Sequence, residues 1–334
     1  MNSGSTKQIS KNSRPPGPRI TLWIFLIALS ATLSITSCTH VQEAEVFSPN
    51  GNIRLYFNTF GQASTYSVFF NGKEIIKPSA MGFDIKDAEP LHDKLAMMKM
   101  RKRTIKETWT PVWGETSEIT NHYNELTVHL VDLGEVRRQM NIIFRVYNDG
   151  IGFRYEIPKQ EHINDFEITS ERTEFCFADD HTSWWIPANF DSYEQTYTQS
   201  PLSEVGAVNT PLTMETSDGI CISIHEANLT DYAGMTLRAA QDKEFAFDCN
   251  LVPWPDGSKV KTSAPMVTPW RTIQISDHPG GLIESNLIIN LNEPNVIKDT
   301  SWIRPMKYIG IWWGMHIKKY TWHEGPDHGA TTEI

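Results

Sequence analysis

The sequence predicts an all-β protein, a large antiparallel β-sandwich, followed by the opening elements of a β/α domain. Three observations carry this expectation. Short runs that alternate apolar and polar residues recur through residues 39–305, and period-two alternation marks strands with one buried face. Asn-Gly, Asp-Gly and Pro-containing turns punctuate these runs. Only residues 91–106 read as helical, and their Met and Lys content leaves even that reading ambiguous. Many strands with almost no helix imply two packed layers of sheet. At about 265 residues the sandwich is large, but all-β domains of roughly 200–250 residues occur.

The chain begins with a polar segment carrying Lys7, Lys11, Arg14 and Arg19, then an apolar core over residues 20–35. A positive region, a short apolar region and small residues before a cleavage point define an export signal. The apolar part is short for a membrane span, which needs about 20 residues. Cys38 directly follows Ile35-Thr36-Ser37, an arrangement that looks like a bacterial lipobox. Residues 1–37 are then a lipoprotein signal peptide and Cys38 the lipidated first residue of the mature protein, anchored to a membrane by its acyl chains. The expected location is the periplasm or outer membrane. The alternative is an ordinary signal peptide with a chance cysteine.

In the body, Ser48-Pro49-Asn50-Gly51 launches a strand with Ile53, Leu55 and Phe57 on one face. Residues 66–70 and 73–76 flank Asn71-Gly72, the pair that supplies the two positive φ values of a type I′ hairpin turn. Residues 141–147 and 151–157 flank Asn148-Asp149-Gly150 in a second hairpin. Residues 126–130, 174–177, 219–224, 244–250, 272–275 and 285–291 read as further strands. Residues 293–305 form a connection. Beyond it, residues 308–313 are apolar without alternation, as in a strand buried on both faces. Gly314, a loop rich in aromatics and His, and a helix start at Thr331-Thr332-Glu333 come next. Residues 306–334 are thus expected to begin a β/α domain that the sequence does not continue.

The formal net charge of −10 argues against nucleic acid as a partner, since no basic excess is available to neutralise phosphates. Tryptophan is used 11 times, and its flat face can fill a core or stack on a sugar ring. Cys176, Cys221 and Cys249 lie in strand-like runs without metal spacing, which suggests buried free thiols or one disulfide. No nucleophile elbow, phosphate loop or dinucleotide fingerprint is present.

The densest candidate site spans residues 183–197, where Trp and Tyr surround Asn189, Asp191 and Glu194. Carboxylates with nearby amide oxygens suit Ca²⁺, and the aromatics could wall a sugar pocket; a solvated aromatic loop is the plainer alternative. His225, Glu226, Asp231 and Tyr232 come after a buried-looking strand, where loops often present functional groups, or where an Asx turn simply ends the strand. Residues 109–115 read as a structural aromatic loop. Trp312, Trp313 and His316 sit at the end of the putative barrel strand that would face an active site. The spacing of His316, His323 and His328 fits no zinc pattern.

Several segments together resemble glycoside hydrolase family 97: Ser48-Pro49-Asn50-Gly51, residues 109–115, residues 144–155, residues 185–194, residues 307–313 and residues 328–333. The resemblance implies a β-super-sandwich of the galactose mutarotase-like type over residues 39–305, then the truncated start of a (β/α)8 barrel over residues 306–334. It implies an exo-acting α-glucosidase or α-galactosidase that takes α-linked oligosaccharides. Glu194 matches a sandwich-domain glutamate that helps hold calcium, and Trp312 and Trp313 match a substrate-facing pair. Asp191 and Glu226 are expected to contact substrate. The catalytic carboxylates belong to later barrel strands, so no catalytic residue is assigned here. The barrel is expected from elsewhere, on a continuation or a separate chain, and this polypeptide is expected to be inactive alone. Two alternatives are a lipid-anchored carbohydrate-binding module and a sugar epimerase, the latter without a clear His and Glu pair to support it.

Overall fold

The computed structural model describes residues 42–307 together with Met1, Asn2, Gly4, Trp313 and His316. The chain divides between His40 and Val41. The unit after that point is an antiparallel β-sandwich, as expected. One sheet of ten strands runs in the order Thr198–Pro201, Thr182–Trp185, Leu212–Glu215, Cys221–Ala227, Trp270–Ser276, Gly150–Ile157, Gln139–Tyr147, Ile119–Asp132 and Leu95–Trp109, with Met266–Val267 added on Gly150–Ile157. Against it lie three smaller sheets. The first contains Glu43–Phe47, Ile53–Asn58, Thr65–Phe70 and Lys73–Ala80. The second joins Val260–Ser263, Asp165–Glu171 and Phe83–Ile85. The third joins Glu174–Cys176, Ala246–Leu251, Met235–Ala239 and Ala207–Asn209.

Alternation explains which side chains meet. Ile151, Phe153, Tyr155 and Ile157 all point from one strand into the core. There they meet all three small sheets: Tyr66 and Phe175 approach Phe153 at 4.9 and 6.4 Å, and Phe83 approaches Tyr155 at 4.6 Å between ring centroids. Tilted and edge-on aromatic pairs of this kind add to plain area burial.

The Asn71-Gly72 turn has φ of 50° and 82°, as a type I′ hairpin needs. The second hairpin differs in detail. Tyr147 pairs with Gly150, so Asn148 and Asp149 alone form the loop and Gly150 already belongs to its strand. Glycine is required there by crowding: at φ 147°, a Cβ would lie 2.3 Å from the Ile273 carbonyl oxygen. Gly150→Ala is expected to cost about 2–3 kcal/mol through this clash and the unfavourable φ, measured by urea denaturation. A loss below about 0.5 kcal/mol would show that the strands can separate locally without penalty.

Two expectations are corrected. Residues 91–106 are not helical: Leu95–Trp109 is a long strand paired along its length with Ile119–Asp132. The helix-favouring Met and Lys residues are overridden by this cross-strand pairing. Lys99, Arg101, Lys102, Arg103 and Lys106 on this edge strand also discourage pairing with another chain. Residues 285–291 are not a strand: Leu287–Asn290 is a short helix, preceded by the helix Pro279–Glu284 with Pro at its start. Leu287 and Leu291, one helical turn apart, are both buried with Tyr123, Tyr147 and Trp270 on the outer face of the large sheet.

The three cysteines among the described residues are free and buried, which settles the choice between thiols and a disulfide. Residues 293–307 lie outside regular structure and expose Val296, Trp302 and Met306. The signal segment apart from Met1, Asn2 and Gly4, and Cys38, Trp312, His323 and His328, lie outside the described residues. Of the expected barrel strand over residues 308–313 only Trp313 is described, and it is 70% exposed; residues 308–312 lie outside the described residues. Among the described residues no helix is long and apolar enough to cross a membrane.

Candidate functional site

The loop carrying Asp191 and Glu194 joins two paired strands, Thr182–Trp185 and Thr198–Pro201, at one end of the large sheet. Its stem is stapled to the third small sheet. The Ala188 amide donates to the Ala207 carbonyl, the Asn209 amide to the Ile186 carbonyl, and the Asn189 amide to Asn209 Oδ1 at 3.3 Å. Short-range turns then shape the tip: the Asp191 amide donates to Asn189 Oδ1 at 2.8 Å and the Glu194 amide to Ser192 Oγ at 3.1 Å. This fixed stem and locally turned tip push Phe190, Asp191, Tyr193, Glu194 and Tyr197 into solvent.

The carboxylates of Asp191 and Glu194 have no protein partner among the described residues. Calcium takes six to eight oxygen ligands. Two free carboxylates on one exposed loop fit as part of such a set. No three His, Cys, Asp or Glu side chains converge on a metal position among the described residues, so Asp191 and Glu194 do not by themselves complete such a set.

Glu226 is placed differently from the substrate-contacting role expected for it. It lies opposite Arg271 in the sheet register, and both face the core, in phase with Ile224 and Ile273. Arg271 donates Nη1 to Glu226 Oε2 at 2.6 Å, and Nε and Nη2 to Glu171 at 2.8 and 2.6 Å. The other Glu226 oxygen accepts the Met235 amide at 3.0 Å. Tyr232 Oη and Thr173 Oγ1 also donate to Glu171. Burial pushes the Glu226 carboxyl above its ordinary range despite Arg271. For Glu171, burial acts in the same direction but Arg271 more than offsets it, and the net shift is downward. Both carboxylates are engaged by Arg271 inside the sandwich.

The same holds elsewhere. Glu125 is gripped by Arg103 and Arg145, Asp132 by Arg138, and Glu174 by Lys243. Glu125 is held below the usual carboxylate range, since the two arginines outweigh the upward push of burial. His225 contacts Thr210 at 3.1 Å, and burial lowers its pKa, which keeps the imidazole neutral. Trp109 donates its indole N–H to Asn290 at 2.9 Å, which ties the 109–115 loop to the helical strap in a structural role.

Among the described residues, the sandwich thus holds its buried acids in ion pairs and carries the two unpartnered carboxylates of Asp191 and Glu194 on one exposed loop. Residues 46–294 match the family model described as Glycosyl-hydrolase 97 N-terminal, and the chain belongs to that family. It is 25% identical over 324 residues to a retaining alpha-galactosidase of Bacteroides thetaiotaomicron, covering 87% of this chain and 47% of the relative. It is also 25% identical over 303 residues to a probable retaining alpha-galactosidase of Streptomyces bingchenggensis, covering 88% and 46%. Among solved structures it is similar to a Glycoside Hydrolase Family 97 enzyme from Pseudoalteromonas sp. strain K8, determined with panose and with acarbose. That match has a TM-score of 0.80 at 41% identity and covers 87% of this chain and 44% of that one. The chain therefore spans about half the length of the relatives it matches.

Proposed function

We propose that this chain is the amino-terminal scaffold of an exo-acting α-glycoside hydrolase, of α-glucosidase or α-galactosidase type, that breaks down α-linked oligosaccharides. The observation that carries the reading is the 41% identity, over 87% of this chain, to an enzyme solved with two oligosaccharides. The general acid and its partner carboxylate are assigned to a barrel domain beyond the described residues, because the buried acids of the sandwich are held by cations. Arginines hold Glu171 and Glu125 below the usual carboxylate range, and a carboxylate kept ionised in this way cannot protonate a leaving oxygen. On aryl α-glucoside and aryl α-galactoside the chain alone is expected to show no turnover, and robust hydrolysis would overturn the proposal.

In the complete enzyme, Glu194 would lend its free carboxylate to Ca²⁺ beside the catalytic acids, with Asp191, Trp312 and Trp313 toward the sugar. The ion would supply positive charge that orients those acids and steadies developing negative charge. With sandwich and barrel joined, EDTA is expected to lower the melting temperature, and Glu194→Gln is expected to abolish that response; a variant that still responds fully would remove Glu194 from the ion. Cys38 would carry the lipid that holds the enzyme at the periplasmic or outer-membrane surface, so Cys38→Ala should release the protein from membranes and leave it unlabelled by radioactive fatty acid. The rival reading, a lipid-anchored module that binds sugar without catalysis, is favoured by the exposed Phe190, Tyr193 and Tyr197. It predicts sugar binding with no turnover even when the barrel is supplied.

A further inference from the structure

The polar cluster after the Cys221–Ala227 strand is not used by the Glu194 loop, and the structure shows what it borders. Residues 231–234 line one side of a cavity of about 540 Å³, and Trp254, Lys259 and Lys261 line the other. Trp254 sits on a tight turn that holds it in place. Its amide donates to the Ser258 carbonyl at 2.8 Å, and the Gly257 amide donates back to the Trp254 carbonyl at 2.9 Å. Asp256 Oδ1 accepts from Ser258 Oγ at 2.6 Å and braces the same turn. Yet the indole is 55% exposed, so a large flat apolar ring is displayed rather than buried. Lys261 Nζ stands 5.7 Å from its centroid.

The opposite wall is also fixed. Tyr232 is anchored through its hydroxyl to the buried Glu171 at 2.9 Å. Asp231, beside it, holds a left-handed φ of 49° and is exposed. Its carboxylate has no protein partner among the described residues. A half-exposed indole with Lys261 against it, a free carboxylate, and the Lys261 ammonium held in an ion pair by Asp256 surround one cavity; such groups recognise a pyranose, whose C–H face stacks on the indole and whose hydroxyls bond to the polar rim. An anionic ligand is disfavoured, because Asp231 and Asp256 flank the lysines.

We infer that Trp254, with Asp231 and Lys261, forms a binding site for a neutral pyranose ring of an oligosaccharide on the sandwich itself. The inference deepens the glycosidase reading and rests on it for the class of sugar. It does not depend on where catalysis occurs.

The test is calorimetric titration of the full chain with panose. The wild type is expected to bind with a Kd of about 1 mM, Trp254→Ala to weaken binding at least about tenfold, and Trp254→Phe to stay within about threefold. Asp231→Asn should also weaken binding. Melting temperatures should be unchanged, since both groups are exposed. Wild-type binding undiminished in Trp254→Ala, binding abolished instead by Phe190→Ala, or no wild-type heat at all would each overturn the site. None of these outcomes bears on the hydrolase reading, which is decided separately by turnover once the barrel is supplied.

Discussion

Arg271→Met is expected to destabilise the sandwich by about 3–5 kcal/mol, because it removes one partner of a buried ion network and strands the others. Arg271 and Glu171 are both 0% exposed at the side chain, and Glu226 is 10% exposed. The guanidinium joins the second small sheet to the large one: Glu171 ends the Asp165–Glu171 strand, while Glu226 lies beside Arg271 in the large sheet. Without it, two carboxylates remain in a site of low polarity with Tyr232, Thr173, the Cys249 thiol and the Met235 amide as donors among the described residues. Denaturation in urea measures the loss, and a cost below about 1 kcal/mol would mean the network is solvated in practice. Replacing all three ionic groups together, as Glu171→Gln, Glu226→Gln and Arg271→Met, should recover much of the stability, since an apolar or neutral set carries no stranded charge.

The network also sets a sign for acid sensitivity. The Glu171 pKa is depressed in the fold, so the stability it contributes is fully present above its ordinary value of about 4.3. That stability is lost as pH falls through the lower folded value. Glu125 is shifted the same way by Arg103 and Arg145 and adds to the loss. Glu226 is shifted upward and opposes it, because the fold favours its protonated form. Unfolding below about pH 4 should therefore be steeper in the wild type than in Glu171→Gln.

How much of this was legible in the sequence depends on which forces act locally. The Asn71-Gly72 hairpin could be read directly, because the turn type is decided by two residues. Residues 91–106 could not, because Met and Lys favour helix and only the distant Ile119–Asp132 strand makes them a strand. Leu287 and Leu291 carry a helical spacing that the strand reading of residues 285–291 passes over. The exposed Glu194 loop was visible from its acids and aromatics. The ion pair of Glu226 was not, because Arg271 lies 45 residues from Glu226 and 100 residues from its other partner, Glu171. One signal was present: Arg271 falls in phase with Ile273 and Ile275 on the strand Trp270–Ser276, which marks a charge facing the core. The Trp254 turn gave no such signal, since Pro253-Trp254-Pro255 reads as an ordinary surface turn.

Phe153→Ala should be comparably damaging, at about 3–5 kcal/mol, the range for deleting a buried aromatic. The residue is fully buried, and its position explains why the site should collapse poorly. Its ring meets Tyr66, Phe144, Tyr155 and Phe175 at centroid distances of 4.9, 5.9, 6.3 and 6.4 Å. Tyr66 belongs to the first small sheet and Phe175 to the third, while Tyr155 reaches Phe83 of the second. The cavity would thus open where separate sheets converge, and each is held by its own hydrogen-bond ladder. No single strand can shift to fill it without breaking its pairing elsewhere, so most of the void should persist and its cost with it. Phe153→Leu keeps most of the volume and should lose about half as much. Phe190→Ala, on the exposed loop, should stay within about 0.5 kcal/mol. Urea midpoints of the three variants decide the matter: a loss for Phe153→Ala no greater than for Phe190→Ala would mean that the small sheets are not joined through this ring.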